Sequence, residues 1–386
     1  MSNSNNPTSS SPPSPSTKKS QWPFTFLTIT ISFPVILAAI AYQLDSFDPG
    51  AYPIEHTSSK EPMYVPKRNS NMLEGVEKIG EGKLLGPEDI AYDKKMGVIY
   101  TGCSDGWIKI IKLGSNLVVE EWVNTGGRPL GMVLGQHGEL VVADADEGML
   151  NITADGKIHL LTKEAEGLEF KLADGVDIAE NGILYFTDAS YKYKFKEYIW
   201  DILEGRPYGR LLSYDPQTKV TKVLVRDLYF ANGVVVSPDQ KSVIFCETAL
   251  KCCKRYHIEG EKRGSVDMFI ENIPGTPDNV MYDGEGYYWI ALTTGQGTLW
   301  DLALKYPFIR KIMGIIEKTV GRPHMEKNGG ALAIDLEGRP VAHYYDQHLS
   351  MVSSSIKIGD HLYCGSVAKP YMIRLNLTQH PAVADA

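Results

Sequence analysis

Residues 230–247 read FANGVVVSPDQKSVIFCE. An apolar run, Val234, Val235 and Val236, follows an amide and a glycine, Asn232 and Gly233. Pro238 and Asp239 end it, because proline fixes φ and aspartate bonds its own backbone in turns. A second apolar run, Val243 to Cys246, returns antiparallel. An amide at the head of a strand that otherwise reads as buried is a local oddity only if it occurs once.

It recurs. Residues 86–102 (GPEDIAYDKKMGVIYTG), 127–144 (GRPLGMVLGQHGELVVAD), 172–188 (LADGVDIAENGILYFTD) and 276–292 (TPDNVMYDGEGYYWIAL) share the form, and 352–366 (VSSSIKIGDHLYCGS) closes the series. Where nothing intervenes the repeats are about 42–46 residues apart, the length of a four-stranded propeller blade. Third and fourth strands follow most pairs, as in GWIKIIKLG then LVVEEWVN. The sixth repeat has three strands, and GVEKIGEG at 75–82 is a spare strand at the other end of the chain. Pairing it into blade six closes the ring and removes the open edges at the join. The expected fold is all-β, a six-bladed β-propeller over 72–378 with a short tail at 379–386. Helical insertions fall in blades three and five, at 191–209 and 296–325, where apolar residues recur at helical spacing.

The first strand of each blade lines the channel, so the residues at its head ring one mouth. In order they are Glu88, Leu130, Asp174, Asn232, Asp278 with Asn279, and Ser353 with Ser354. Each alone is an ordinary turn residue. Together they offer carboxylate and amide oxygens of the kind hard cations such as Ca²⁺ bind. A carboxylate cluster in a channel needs a counter-cation, because like charges raise one another's pKa.

Ahead of the propeller, 1–21 is a polar leader with a composition that cannot bury a core. Residues 22–44, WPFTFLTITISFPVILAAIAYQL, carry no charge and are long enough to span a bilayer. Lys18 and Lys19 precede the run, and Asp45 and Asp48 follow it. The positive-inside rule then puts the leader in the cytosol and the propeller in the lumen. A cleaved signal peptide is the competing reading; the full-length run favours a retained anchor. Both send the propeller into the secretory pathway, endoplasmic reticulum or vacuole, where the sequons at Asn151 and Asn376 become glycosylation sites. Residues 45–71 read as a linker. The net charge of −8 and the lack of a basic stripe argue against nucleic acid. The five cysteines hold no CxxC pair, which excludes the common zinc and redox motifs. Cys246 and either Cys252 or Cys253 lie where a hairpin would bring them face to face, and both a disulfide and buried thiols fit that spacing.

GPEDIAYD, GWIKIIKL, NTGGRPLGM, LADGVDIAENGILYFTD, GRLLSYDP, FANGVVVSPD, TPDNV and HLYCGS, in this order over 75–376, resemble the strictosidine synthase-like proteins of plants. They also resemble the related adipocyte plasma membrane-associated protein of animals. The resemblance implies a six-bladed propeller with an N-terminal anchor. Strictosidine synthase condenses tryptamine with secologanin through a glutamate at the head of blade six. The matching residue here is Ser353, whose hydroxyl has no carboxylate basicity. The wider superfamily includes calcium-dependent lactonases and phosphotriesterases. The resemblance places their metal ligands on Glu88, Asp174, Asn232 and Asp278, with Asn279 as a further ligand. Asp174 stands where an asparagine is more usual.

Three functions fit this sequence. The first is a Ca²⁺-dependent hydrolase of small esters or lactones, with Asp278 or Asp174 as nucleophile or base. The second is a condensing enzyme with Glu88 or Asp278 as base, and the third a non-catalytic propeller binding a ligand or partner. No histidine dyad is evident; His324, His343, His348 and His361 all lie late in the chain. The basic stretches TALKCCKRY and GRPYGR read either as solvated strand ends or as contacts for an anionic substrate. The helical insertions read as packing or a lid over the channel mouth, or as an interfacial contact beside the anchor.

Overall fold

A computed structural model describes residues 1–2, 22–53, 55, 63–114, 117–321 and 326–384, the side chains of 22–29 excepted. The leader beyond its second residue, part of the linker, His324 and the last two residues of the tail lie outside the described residues. The chain divides into two compact units, Met1–Ser46 and Phe47–Ala386.

The first unit contains helix α1, Trp22–Leu44, with Pro34 inside it. Its described large apolar side chains, among them Phe33, Val35 and Leu37, are exposed. Among the described residues no helix is long and apolar enough to cross a membrane.

The second unit is the six-bladed propeller. Five blades are sheets of four strands, and blade five has a fifth. The inner strands are Ala91–Asp93 in blade one, Pro129–Leu134 in two, Ala173–Ile178 in three, Ala231–Val236 in four, Gly275–Tyr282 in five and Val352–Ile358 in six. The spare N-terminal strand, Val76–Ile79, pairs antiparallel with Met372–Asn376 as the outermost strand of blade six, Val76 facing Leu375 and Ile79 facing Met372. First and last parts of the chain thus close one sheet. The fifth strand, Lys67–Asn69, runs parallel to Pro340–Asp346 in blade five. The segment read as linker therefore joins the propeller at its C-terminal end.

The alternation of side chains along a strand explains the valine run. Val234 and Val236 pack toward blade three, with Tyr185 and Leu211. Val235 points the other way, toward Ile290 and Leu292 of blade five. Every blade is buried on both faces in this manner, with one apolar cluster between each adjacent pair.

A further cluster lies under the insertions. Blade three carries α2, Tyr198–Glu204, between its second and third strands. Blade five carries α3, Thr298–Lys305, and α4, Pro307–Val320, at the same place. Ile202 of α2 and Leu304 of α3 pack with Leu130, Leu172 and Phe230, which stand at the heads of the inner strands of blades two, three and four. The three helices thus form a cap over the end of the channel where the inner strands begin.

Arg310 of α4 ties the cap together. It is fully buried. Its Nε donates to the Ala303 carbonyl of α3 at 2.9 Å and its Nη1 to the Leu203 carbonyl of α2 at 3.0 Å. Nη2 donates to the Gly50 carbonyl, and the guanidinium lies over the Tyr52 ring at 4.6 Å. Ala303 and Leu203 belong to the last turns of their helices, where carbonyls lack intrahelical partners and favour a cation. Arg310→Met keeps most of the volume and strands three carbonyls. The expected loss is about 3 kcal/mol, seen as a lower urea midpoint at unchanged m.

Candidate functional site

In blades two to six the inner strand bulges at its head. Asp174 and Gly175 together face the single residue Thr187, Asn232 and Gly233 face Cys246, and Asp278 and Asn279 face Ala291. Leu130 and Gly131 face Ala143, and Ser353 and Ser354 face Gly365. A bulge turns side chains out of the pleat. Repeated at one level of the ring, it gathers the residues at the strand heads in the channel.

The bulge also needs space. A Cβ at Gly175 would lie 2.9 Å from the Asn232 carbonyl, and one at Gly233 would lie 2.5 Å from the Val280 nitrogen and 2.6 Å from the Asp278 carbonyl. Adjacent inner strands touch backbone to backbone there. Hydroxyls lock the contacts: Thr187 Oγ1 donates to the Asn232 carbonyl at 2.6 Å and Thr248 Oγ1 to the Pro277 carbonyl at 2.8 Å.

Glu88, Asp174, Asn232, Asp278 and Asn279 are all brought together and all buried. Asn279 Nδ2 donates to Glu88 Oε1 at 2.9 Å, and the Asn232 side chain lies beside Asp278 and favours its ionised form. Glu88 Oε2 and Asn232 Oδ1 find no partner among the described residues. Burial raises the Glu88 carboxyl well above its ordinary range, and the charges of Asp89, Asp278 and Asp174 push it the same way. Burial likewise raises Asp278, with Asp174 adding to it. Asp174 is pushed up to about 8 by burial and by Asp89, against Arg128.

Blade two offers no oxygen at this level: Leu130 joins the apolar cluster under the cap. Arg128, two residues earlier, supplies a buried guanidinium whose charge favours ionised Glu88 and Asp174. It is held by carbonyls, Gly86 at 3.0 Å and Gly102 at 3.4 Å, and lies 5.4 Å from the Phe195 ring centroid. The counter-cation that the cluster requires is partly built into the chain. Sequence reasoning passed over it; the only signal is an arginine in GRPLGM just ahead of the strand.

Two further acids were also missed. Asp89 Oδ2 accepts the Met132 N–H of blade two at 2.8 Å, and Asp177 Oδ2 accepts the Val236 N–H of blade four at 2.7 Å. Burial lifts them to about 7 and about 6. They line a cavity of about 510 Å³ at the other end of the channel, with Val236, Val280, Met281 and Ile356. Of the five residues first singled out, only Asn279 reaches that cavity.

Ser353 is fully buried and donates to the Glu88 carbonyl at 2.7 Å, joining blade six to blade one. The basic stretches are occupied. Arg210 of GRPYGR is a buried partner of Asp188 at 2.6 Å, not a solvated strand end. Lys254 pairs with buried Glu247 at 2.5 Å and Arg255 with Asp267 at 2.9 Å. Cys246 and Cys253 form a disulfide between neighbouring strands, while Cys103, Cys252 and Cys364 stay reduced and buried. His343 is buried and stacks on Tyr345 in blade five. Asn151 is half-buried within a strand of blade two, and Asn376 ends a strand of blade six with Oδ1 accepting the N–H groups of Thr378 and Gln379.

With the geometry in place, the comparisons with known proteins are decisive for kinship. Strictosidine synthase-like 6 of Arabidopsis thaliana is 51% identical over 361 residues, covering 92% of this chain and 96% of its own. The chain belongs to the strictosidine synthase-like family. The family model described as strictosidine synthase matches residues 174–261, and the one described as strictosidine synthase-like, N-terminal, matches 68–111. The adipocyte plasma membrane-associated protein of Gallus gallus is 32% identical over 383 residues, 92% of this chain and 90% of that protein. Two solved structures share the fold. They are a gluconolactonase from Xanthomonas campestris (13% identity, 85% of this chain and 98% of that one, TM-score 0.57) and a calcium-binding protein, regucalcin, from Agrobacterium tumefaciens (15%, 81% and 95%, TM-score 0.56).

The oxygen-only donor set and the unpartnered Glu88 Oε2 and Asn232 Oδ1 suit a hard cation. The set depends on its amides: among the described residues no three His, Cys, Asp or Glu side chains form a metal cage by themselves.

Two outcomes follow. Gly233→Ala drives a methyl into the backbone of Asp278–Val280 and is expected to cost about 1–3 kcal/mol in thermal unfolding. In chelator, Asp174 also makes stability depend on pH. Its carboxyl binds its proton more tightly in the fold, at about 8, than in the unfolded chain, at about 3.9. That stabilisation is complete below the unfolded value and is lost as pH rises toward 8. Melting temperature should therefore fall between about pH 4 and 8, and Asp174→Asn should flatten the slope.

Proposed function

We propose that this protein is a Ca²⁺-dependent hydrolase of small esters or lactones, held by its N-terminal helix at a membrane of the secretory pathway with the propeller in the lumen. One observation carries the chemistry. Carboxylates and amides from four blades converge, Asp174, Asn232, Asp278 and Asn279 from equivalent bulges and Glu88 from just ahead of the blade-one strand, and among the described residues Glu88 Oε2 and Asn232 Oδ1 have no partner. These residues would hold the ion. When bound, Ca²⁺ supplies Lewis-acid polarisation of the carbonyl and a counter-charge for the oxyanion.

The chain's own groups do the rest. Asp278 and Asp174 are the candidate nucleophile or base, since a raised pKa fits a carboxyl to take and hold a proton near neutral pH. Asn232, beside Asp278, favours the ionised form of that carboxyl. The cap of α2 and α3 limits water at this end of the channel. The neighbours' printed descriptions, a gluconolactonase and a calcium-binding protein, support the reading at the level of fold. The Cys246–Cys253 disulfide suits an oxidising lumen. A relative described as plasma membrane-associated supports attachment to a membrane. Condensation of the strictosidine type is disfavoured, because Ser353 holds the Glu88 carbonyl and has no basicity to offer.

Arg128 favours a second reading, in which an internal cation balances the acids and the channel binds a ligand without metal. The full chain, purified in mild detergent, separates the two. The hydrolase should cleave phenyl acetate or gluconolactone, lose at least about 10-fold of that activity in EDTA, regain it with Ca²⁺, and lose it in Asn232→Ala. Chelator-insensitive hydrolysis, or none together with no Ca²⁺-induced rise in melting temperature, would favour the metal-free reading.

A further inference from the structure

The outer surface of the cap is apolar. Leu299, Leu302, Tyr306, Phe308, Ile312 and Ile316 are between 38% and 52% exposed. Isolated exposed apolar residues are ordinary, but a contiguous stripe is not. On α4, Phe308, Ile312 and Ile316 recur every four residues on one side, while buried Arg310 and Gly314 mark the opposite one. Lys305 and Lys311 border the stripe, while Lys318 lies on the side of Arg310 and Gly314, over Phe47 and Trp200; the acids of α3 and α4 are Asp301 and Glu317. An apolar face bordered by lysines is the pattern of a helix lying in a membrane interface.

The chain also says what covers this face. Only Asp45 and Ser46 separate the end of α1, Leu44, from Phe47. Phe47 meets Trp200 of α2 edge-on, with ring centroids 5.2 Å apart, and its ring lies against Gly314 of α4. Lys318 lies over both rings. Just beyond, the Gly50 N–H donates to the Glu204 carbonyl at 2.7 Å, and the Gly50 carbonyl accepts Arg310. Three residue steps span at most about 11 Å. An α1 held in a bilayer would therefore keep Phe47, and the cap residues it packs against, within that reach of the helix end.

We propose that α3 and α4 form a second, interfacial membrane contact, seating Phe308, Ile312 and Ile316 among the headgroups and upper acyl chains of the bilayer that holds α1. This rests on the reading of 22–44 as an anchor. It would set the capped end of the channel against lipid and leave the cavity lined by Asp89 and Asp177 facing away from it.

The test uses the full chain in nanodiscs of phosphatidylcholine with phosphatidylserine, with or without brominated acyl chains. An environment-sensitive fluorophore is placed at Ile312→Cys, with Phe308→Cys as a second site. Leu160→Cys, 54% exposed in blade two, is the reference. At 312 and 308 the expected result is a blue shift and at least about 2-fold stronger quenching by brominated lipid than at 160. Chain that migrates with the nanodiscs but is quenched equally at all three sites overturns the proposal and leaves the anchor standing. Chain that fails to migrate with lipid sinks both. Shielding at 312 that needs high protein concentration but no lipid overturns the proposal in favour of a second copy of the chain.

Discussion

Glu88, Asp174 and Asp278 are buried together in a channel walled by backbone and valine, and the propeller is arranged around the cost of that burial. A carboxylate removed from water must be hydrogen-bonded, paired or protonated. All three responses occur. Asn279 donates to Glu88, Asn232 favours ionised Asp278, Arg128 adds one positive charge, and Asp174 keeps a proton up to about pH 8. One guanidinium cannot neutralise this many acids. Protonation and a bound cation are the two ways left to balance the remaining charge, and among the described residues Glu88 Oε2 and Asn232 Oδ1 have no partner.

Convergence of those groups is a property of the ring. The five acids and amides come from four blades, and each blade is held by its neighbours and by the closure of blade six through Val76–Ile79. The bulges aim the side chains, and Gly175 and Gly233 let the strands approach closely enough for the bulges to fit. Loss of closure would let the inner strands separate and the cluster take up water. The same logic joins site and cap, since Leu130, Leu172 and Phe230 sit at the strand heads and anchor the helices that cover them.

The blade unit, its six repeats and the closing strand were legible because alternation, turns and spacing are local patterns written several times over. The ligand-type residues were legible as positions, since the repeat aligns them; the bulge that turns them inward was not, because it is defined by the partner strand. Arg128 escaped because the aligned position in blade two is Leu130, and the arginine acts from two residues earlier. The fifth strand, Lys67–Asn69, has no apolar alternation to announce it, and its partner lies some 270 residues away in blade five. The choice between Cys252 and Cys253 needed the register that sets Cys246 opposite Cys253, a difference of one residue that no periodicity fixes.

Ser353 shows how the two ends of the ring constrain the chemistry. Its hydroxyl is fully buried and spent on the Glu88 carbonyl, so blade six positions the backbone of a blade-one acid instead of supplying an acid itself. A glutamate at 353 would lose that donation. It would also set another carboxylate beside Glu88, whose pKa is already raised by three acidic neighbours. Each added charge would raise the rest further, and one guanidinium could not hold them ionised. A catalytic acid in blade six and an acid-rich set across blades one, three and five are therefore competing uses of one channel. This chain carries the second, with Glu88, Asp174 and Asp278 buried together and Ser353 in blade six.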